Sequence, residues 1–410
     1  MPLAHTQEPL DKEVQSLKED VDALTQLLEN LQSVVEGQQE RIQALENENT
    51  ALLRETKPPV VERPAQPRPP EPAPAAMGSR ISQTLNPDIG LVIDIAGALS
   101  ESQEDEEGND KFSVRELELT IGHDIDPYTR FDSTITFSDT EDVEIEEAYV
   151  TFLELPGQLQ VRAGRMRPKI GKASAVHRDQ LDTVDEPLVV QRYLGAEGLF
   201  RTGVEVSRYL PQFAGPLTQE VTVGILEGGI GEGGSLFGDT RRHPTYYAHL
   251  KNSWDLSPST NLELGGTYLL GSSGADDRRD VQAFGADLTL RHHFTSVRTL
   301  KWQSELYAQK RDDVISTNDD PIGFYSLLDF RVSRRWGFGA RYDWVELVLA
   351  DPMWPDDKEK AYSAYITFFQ SEFARLRLQY QLVESASGAR DNRFFLQGTF
   401  AVGVHKHKLQ

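Results

Sequence analysis

Two hydrophobic periods divide the chain. From Leu10 the apolar positions fall at Leu10, Val14, Leu17, Val21, Leu24, Leu28, Leu31, Val35, Ile42, Leu45 and Leu52. Steps that alternate four and three predict an α-helix in a coiled coil. Gln38 and Asn49 take two core positions, where polar side chains fix register at some cost in stability. Leu27 and Val34 widen the apolar seam, which favours three strands over two. The predicted trimer core is therefore Val14, Leu17, Val21, Leu24, Leu28, Leu31, Val35, Ile42, Leu45 and Asn49. A single amphipathic helix packed on a globular domain is the alternative. The regularity of the repeat weighs against it.

After residue 80 the period becomes two. "IGLVIDIAGAL" puts Ile89, Leu91, Ile93, Ile95 and Leu99 on one face, and "VRELELTIGH" sets Leu117, Leu119 and Ile121 opposite Glu116, Glu118 and Thr120. Similar segments continue to "RFFLQGTFAVGV", giving about sixteen strands of roughly ten residues, the length a tilted membrane strand needs. Short turns ("HDIDPY", "ELPGQ", "LSPST", "SRRW") alternate with long polar loops ("SESQEDEEGNDK", "GSSGADDRRD", "ADPMWPDDKEK"). Membrane barrels have short periplasmic turns and long outer loops, and an even strand count leaves both termini in the periplasm. Tyr and Phe near strand ends fit aromatic girdles. A soluble β-sandwich also alternates, but no Asn-Gly hairpin turn recurs here.

The segments are thus a tail (1–9), a coiled-coil stalk (10–56), a linker (57–80) and a barrel (81–410). The stalk would be roughly 65 Å long at about 1.5 Å per residue. In "KPPVVERPAQPRPPEPAPAAMG" the prolines predict a polyproline II spacer that adds up to ~60 Å at about 3.1 Å per residue. The fold expected is an all-β transmembrane antiparallel barrel behind an N-terminal α-helical coiled coil and a Pro-rich linker.

Composition narrows the function. The 410 residues contain no cysteine, which excludes disulfides and thiolate metal sites. No apolar run reaches the length of a transmembrane helix. "MPLAHTQEP" lacks the basic and apolar regions of an export signal, as expected of an unexported chain or of a mature one with an added Met. A net charge of -23 argues against nucleic acid as partner. No nucleophile elbow, phosphate loop, HExxH or cofactor motif is present, so neither catalysis nor a cofactor is expected. Glu146 and Glu147, as neighbours on one strand, are expected on opposite faces, although a phospholipase or protease site is the alternative use for such a pair.

"FSVRELELTIGHDIDPYTRFD", "VEIEEAYVTFLELPGQLQVRAGRMRPKIGK", "HRDQLDTVDEPLVV", "LGAEGLFRTGVEVSRYLP" and the ending "FFLQGTFAVGVHKHKL" resemble Gram-negative outer-membrane proteins related to the phosphate-selective (O/P-type) porins. The likeness is one of pattern over most of the chain beyond Ile81. It implies a trimeric sixteen-strand porin in outer-membrane lipid, passing small anions or other hydrophilic solutes, with its third outer loop folded into the lumen. Porins with a periplasmic coiled-coil stalk use it to approach peptidoglycan, so residues 1–80 would face peptidoglycan or a periplasmic protein. Some relatives are labelled zinc-regulated TonB-dependent receptors. Those need a plug domain and 22 strands, for which the length after residue 80 leaves almost no outer loops. The chain ends in Leu409-Gln410, unlike the aromatic ending usual in such barrels.

The chemistry concentrates in "GRMRPKIGKASAVHRDQ", whose first acidic residue is Asp179. It opens the longest connection, about 35 residues, and loops of that length are usually functional. Arg165, Arg167, Lys169, Lys172, Arg178 and Arg192 are the candidate anion-facing residues of a constriction in the loop 166–201. Basic rings at a constriction favour anions, and low-dielectric walls focus their field. The loop also holds Asp179, Asp182, Asp185, Glu186 and Glu197, so the same charges could instead pair with each other or with acidic lumen residues such as Asp94, Glu116 and Glu118. His405 and His407 could share a strand face as a zinc pair, and His177 is a further metal candidate. Relatives carry His-x-His where "HRD" stands here, which weakens a zinc-uptake reading. A structural tether to peptidoglycan is the other alternative.

Overall fold

The computed structural model describes residues 87–102, 110–139, 143–211, 217–228, 243–273, 280–312 and 318–403. The stalk, the linker, His405 and His407 lie outside them. Sixteen strands follow in order: β1 (Asp88–Ser100), β2 (Lys111–Asp126), β3 (Thr129–Phe137), β4 (Glu144–Leu155), β5 (Leu159–Met166), β6 (Arg201–Tyr209), β7 (Leu217–Leu226) and β8 (Thr245–Ser257) form the first half. β9 (Thr260–Ser272), β10 (Asp280–His293), β11 (Thr299–Arg311), β12 (Ile322–Arg331), β13 (Trp336–Glu346), β14 (Lys358–Ser371), β15 (Ala374–Glu384) and β16 (Arg390–Gly403) form the second. Each segment expected to be a strand forms one.

Every strand pairs antiparallel with its sequence neighbours, and β1 pairs with β16 from Gly90↔Gly403 to Ser100↔Arg393, closing the barrel. Closure satisfies the backbone groups that an edge strand would expose. The pleat then sorts side chains by parity. On β15, Arg375, Arg377, Gln379 and Gln381 turn inward and are buried, whereas Leu376, Leu378 and Tyr380 face out and are exposed. On β2, Glu116, Glu118 and Thr120 are buried inside and the intervening Leu117 and Leu119 are not. Outward aromatic pairs sit at both ends of the wall: Phe294–Phe330 and Trp336–Phe368 towards the short turns, Tyr342–Tyr362 and Tyr380–Phe394 towards the long loops.

Alternation fails at one informative place. Between β3 and β4 the register passes from Thr134↔Glu147 to Ile135↔Ile145, leaving Glu146 unpaired in a β-bulge. The extra residue turns the strand, so Glu146 and Glu147 are both buried on the inner side. The expectation of opposite faces is corrected by this bulge.

The largest apolar cluster lies inside the barrel. Residues 167–200, between β5 and β6, bring Ile170, Leu181, Leu188, Val189, Val190, Tyr193, Leu194 and Leu199 against Leu226, Tyr247, Leu269, Val281, Tyr307, Tyr325, Val345 and Tyr365 of the wall. Each fully buried aliphatic side chain contributes roughly 1.5–3 kcal/mol of transfer free energy, against the cost of ordering the loop.

Candidate pore constriction

The loop is held by its own turns and by donors from the wall. Gly171 has φ +62, and a Cβ there would lie 2.2 Å from Glu305 Oε2, so only glycine allows the backbone to approach this carboxylate. Beyond it Ala173 N–H donates to Glu305 Oε1 at 2.6 Å. A 3-10 turn spans Arg178–Gln180, and a short helix, α1, spans Leu188–Tyr193. Pro187 stands at the N-cap of α1 with φ -58, and Asp343 Oδ1 accepts from Leu188 N–H at 3.1 Å, satisfying a donor the helix cannot.

A loop inside a barrel brings backbone carbonyls away from water, and each needs a donor. Arginines of the wall supply them. Arg377 donates to Thr183 O at 2.9 Å and Leu181 O at 3.0 Å, Arg341 to Asp185 O at 2.7 Å, and Arg115 to Val184 O at 2.6 Å. Arg375 donates to Asp179 O. Arg341 also pairs with Asp185 at 2.6 Å and Asp343 at 2.8 Å. Gln379 Oε1 accepts from Val184 N–H at 2.8 Å, and Lys301 pairs with Asp182. With the ion pairs described below, the loop bonds to β2, β4, β6, β7, β9, β10, β11, β13, β14 and β15.

Sequence reasoning missed these wall arginines. The signal was present, since "RLRLQYQ" alternates Arg and Gln with Leu and Tyr. Their partners, backbone carbonyls 69 to 196 residues away, leave no mark in the sequence.

Each of the six candidate cations stands beside a carboxylate. Arg167 is buried and meets Glu146 at 2.8 Å; Lys172 meets Glu263 at 2.8 Å and Asp287 at 3.3 Å. Arg178 pairs with Glu197 at 2.5 Å, Lys169 with Glu220 at 3.3 Å and Arg192 with Glu359 at 2.6 Å. Lys169 and Arg192 keep 37% and 43% of their side chains exposed. Arg165 belongs to the outward set of β5: it is opposite Ala148 and Thr202, one residue from inward Gly164, and pairs with Glu144 at 2.5 Å. The partners are mostly not those considered from sequence, because the loop reaches strands far from its own ends.

His177 is buried at the centre of an acidic group. Its ring lies 3.0 Å from each of Glu118, Glu146 and Glu147. Burial alone would lower its pKa, but these carboxylates raise it well above the usual 6.5. The imidazolium therefore acts as a cationic pin between the loop and strands β2 and β4. Glu186 is the loop's other displaced group: burial pushes its carboxyl up to about 8, against the pull of Arg167, Arg178 and Arg341. Among the described residues no group of three or more His, Asp or Glu is arranged to hold a metal ion.

Neither the models of known protein families nor the curated protein sequences match this chain. Solved structures do match its fold. OprB of Pseudomonas putida superposes with a TM-score of 0.55 at 11% identity, covering 79% of this chain and 96% of that one. An anion-selective porin from Comamonas acidovorans gives 0.53 at 14%, covering 77% and 99%. The outer-membrane channel DcaP of Acinetobacter baumannii gives 0.51 at 11%, covering 77% and 96%. At these identities the likeness is one of fold.

Proposed function

We propose that the protein is a porin of the Gram-negative outer membrane that passes small hydrophilic solutes through a lumen narrowed by residues 167–200. The observation that carries this reading is the seating of that loop. Wall arginines fix its backbone in a barrel whose inner face is polar beyond the apolar seat of the loop and whose outer face is apolar with aromatic ends. The porin folds that it shares support the same use.

An anion or phosphate bias belongs to the proposal and is weak. The cations of the loop are neutralised by neighbours, so the half-exposed Lys169 and Arg192 carry what field remains. One structure sharing the fold is an anion-selective porin. Planar-bilayer reversal potentials in a salt gradient test both parts. Absence of conductance refutes the channel, and strong cation preference refutes the bias.

The same reading makes the protein a homotrimer, with residues 1–80 in the periplasm as a three-stranded stalk reaching peptidoglycan or a periplasmic protein. Its support is the heptad repeat and the start of β1 and end of β16 at the short-turn end of the barrel. Deleting residues 1–76 should weaken envelope attachment while leaving conductance intact; an unchanged envelope counts against the tether.

A further inference from the structure

We propose that the lumen wall on the short-turn side of the loop holds a zwitterion site. There a ladder of alternating charge, Lys169, Glu220, Lys251, Glu263, Lys172 and Asp287, binds small solutes that carry an ammonium and a carboxylate together, with glycine as their simplest representative. The inference rests on the channel reading and names a solute class for it.

Parity and register build the ladder. Leu226, Tyr247, Leu269 and Ala283 face inward to seat the loop, and steps of two from them put Glu220, Lys251, Glu263 and Asp287 on the same inner face of β7, β8, β9 and β10. In register, Glu220 stands opposite Lys251, Lys251 opposite Gly265, and Gly265 opposite Asp287. The loop adds the two other lysines. Lys169 meets Glu220 at 3.3 Å, Lys251 meets Glu263 at 3.7 Å, and Lys172 joins Glu263 at 2.8 Å to Asp287 at 3.3 Å. A Cβ at Gly265 would lie 2.0 Å from Asp287 Oδ2, so this carboxylate lies over β9, on the side of Lys251.

The looseness of the ladder carries the argument. Arg341 and Asp343, which hold the loop, are fully buried and 2.8 Å apart. Lys251 keeps 38% of its side chain exposed, and Glu263 is its one carboxylate within ion-pair distance among the described residues. Asp287 is buried, yet neither of its oxygens accepts a hydrogen bond of good geometry, and Lys172, its counter-ion, is shared with Glu263. A buried acceptor so poorly supplied is costly. The wall thus presents a half-free ammonium and an under-supplied carboxylate two strand spacings apart, roughly 10 Å at the backbone, with only glycine between them. A solute carboxylate would pair with Lys251 while its ammonium donates to Asp287. A simple anion gains the first contact but meets Glu263 and Asp287; a simple cation gains the second but meets Lys251 and Lys172. The ladder's own charges sum to zero, in keeping with a weak ionic bias.

The test is saturation-transfer NMR on the full chain in detergent micelles, titrating glycine, glycolate and glycinamide at constant ionic strength. The three match in size and differ in charge. Glycine should bind saturably and about tenfold more tightly than either singly charged solute. Lys251→Met should weaken glycine about tenfold and raise glycinamide above glycolate; Asp287→Asn should raise glycolate above glycinamide. A purely structural role would not invert the charge preference in opposite senses. Should Asp287→Asn fail to fold, the half-exposed Lys251→Met decides alone: unchanged glycine binding, or no rise of glycinamide over glycolate, overturns the site. Equal binding of the three solutes by the wild type, or no saturable glycine binding, also overturns it. Flux into proteoliposomes separates the two readings. A barrel that passes none of the solutes refutes the channel and leaves the binding readable, whereas equal passage of all three without saturable binding keeps the channel and refutes the site.

Discussion

Replacing His177 with Ala is the sharpest test of how the loop is held. The substitution removes a cation 3.0 Å from Glu118, Glu146 and Glu147, with Arg167 left to serve Glu146 at 2.8 Å. At an effective dielectric of about 20, one unit pair at that distance amounts to roughly 5 kcal/mol before desolvation. Deleting one partner of a buried pair costs about 3–5 kcal/mol net. At about 1.4 kcal/mol per tenfold, local opening should rise by roughly two to three and a half orders of magnitude. The carboxylates can relieve part of the repulsion by binding protons, which favours the lower figure.

The effect should be local. Residues 181–194 are held independently by Arg341, Arg377 and the apolar cluster. Hydrogen exchange followed by mass spectrometry on the full chain can separate the segments. Residues 173–180 should exchange about 100-fold faster, while 188–194 and the strands keep wild-type rates. Unchanged exchange at 173–180, or an equal rise everywhere, refutes the pin. The pH dependence adds a second check. A raised histidine pKa stabilises fully below 6.5 and loses that stabilisation as pH rises through the raised value. Glu186 acts in the same sense: its contribution is present below 4.5 and is lost as pH rises through about 8. The loop should therefore open more readily in alkali, and the Ala variant should lose the histidine part of that dependence.

Other perturbations probe the remaining anchors. Val189→Asp would put an unpaired carboxylate at a fully buried site against Gly323 and Val345, at a cost of several kcal/mol. The loop should leave the lumen and single-channel conductance should rise with the barrel intact; unchanged conductance counts against a seated constriction. Gly171→Ala forces an L residue to φ +62 and a Cβ against Glu305, so the Ala173–Glu305 hydrogen bond should be lost, read as faster exchange at Ala173. Arg341→Met leaves Asp185 and Asp343 uncompensated and should cost about 3–5 kcal/mol in thermal unfolding. Adding Asp343→Asn, which removes the charge and keeps the acceptor for Leu188 N–H, should recover part of that loss, and equal instability of the two variants would contradict the ion-pair account.

The barrel was legible because a strand carries its environment in its own residues. Apolar outside and polar inside alternate every second position, as in Leu117 and Glu118 or Leu376 and Arg377, and neither needs knowledge of a distant partner. The long basic connection was likewise visible as a feature. The neighbours of its charges were not, because pairing such as Lys172 with Glu263 or Arg192 with Glu359 depends on how far the loop crosses the barrel.

The sequence by itself determined the strand number and the alternation of short and long connections. These follow from periods of two and from residues that break them, which are local properties. Only the tertiary structure decided where the loop lies, that a bulge turns Glu146 and Glu147 to one side, and that His177 is their counter-ion. The reason is physical: charge compensation acts over a few ångströms in space, and closing the barrel brings together residues that the chain keeps hundreds of positions apart.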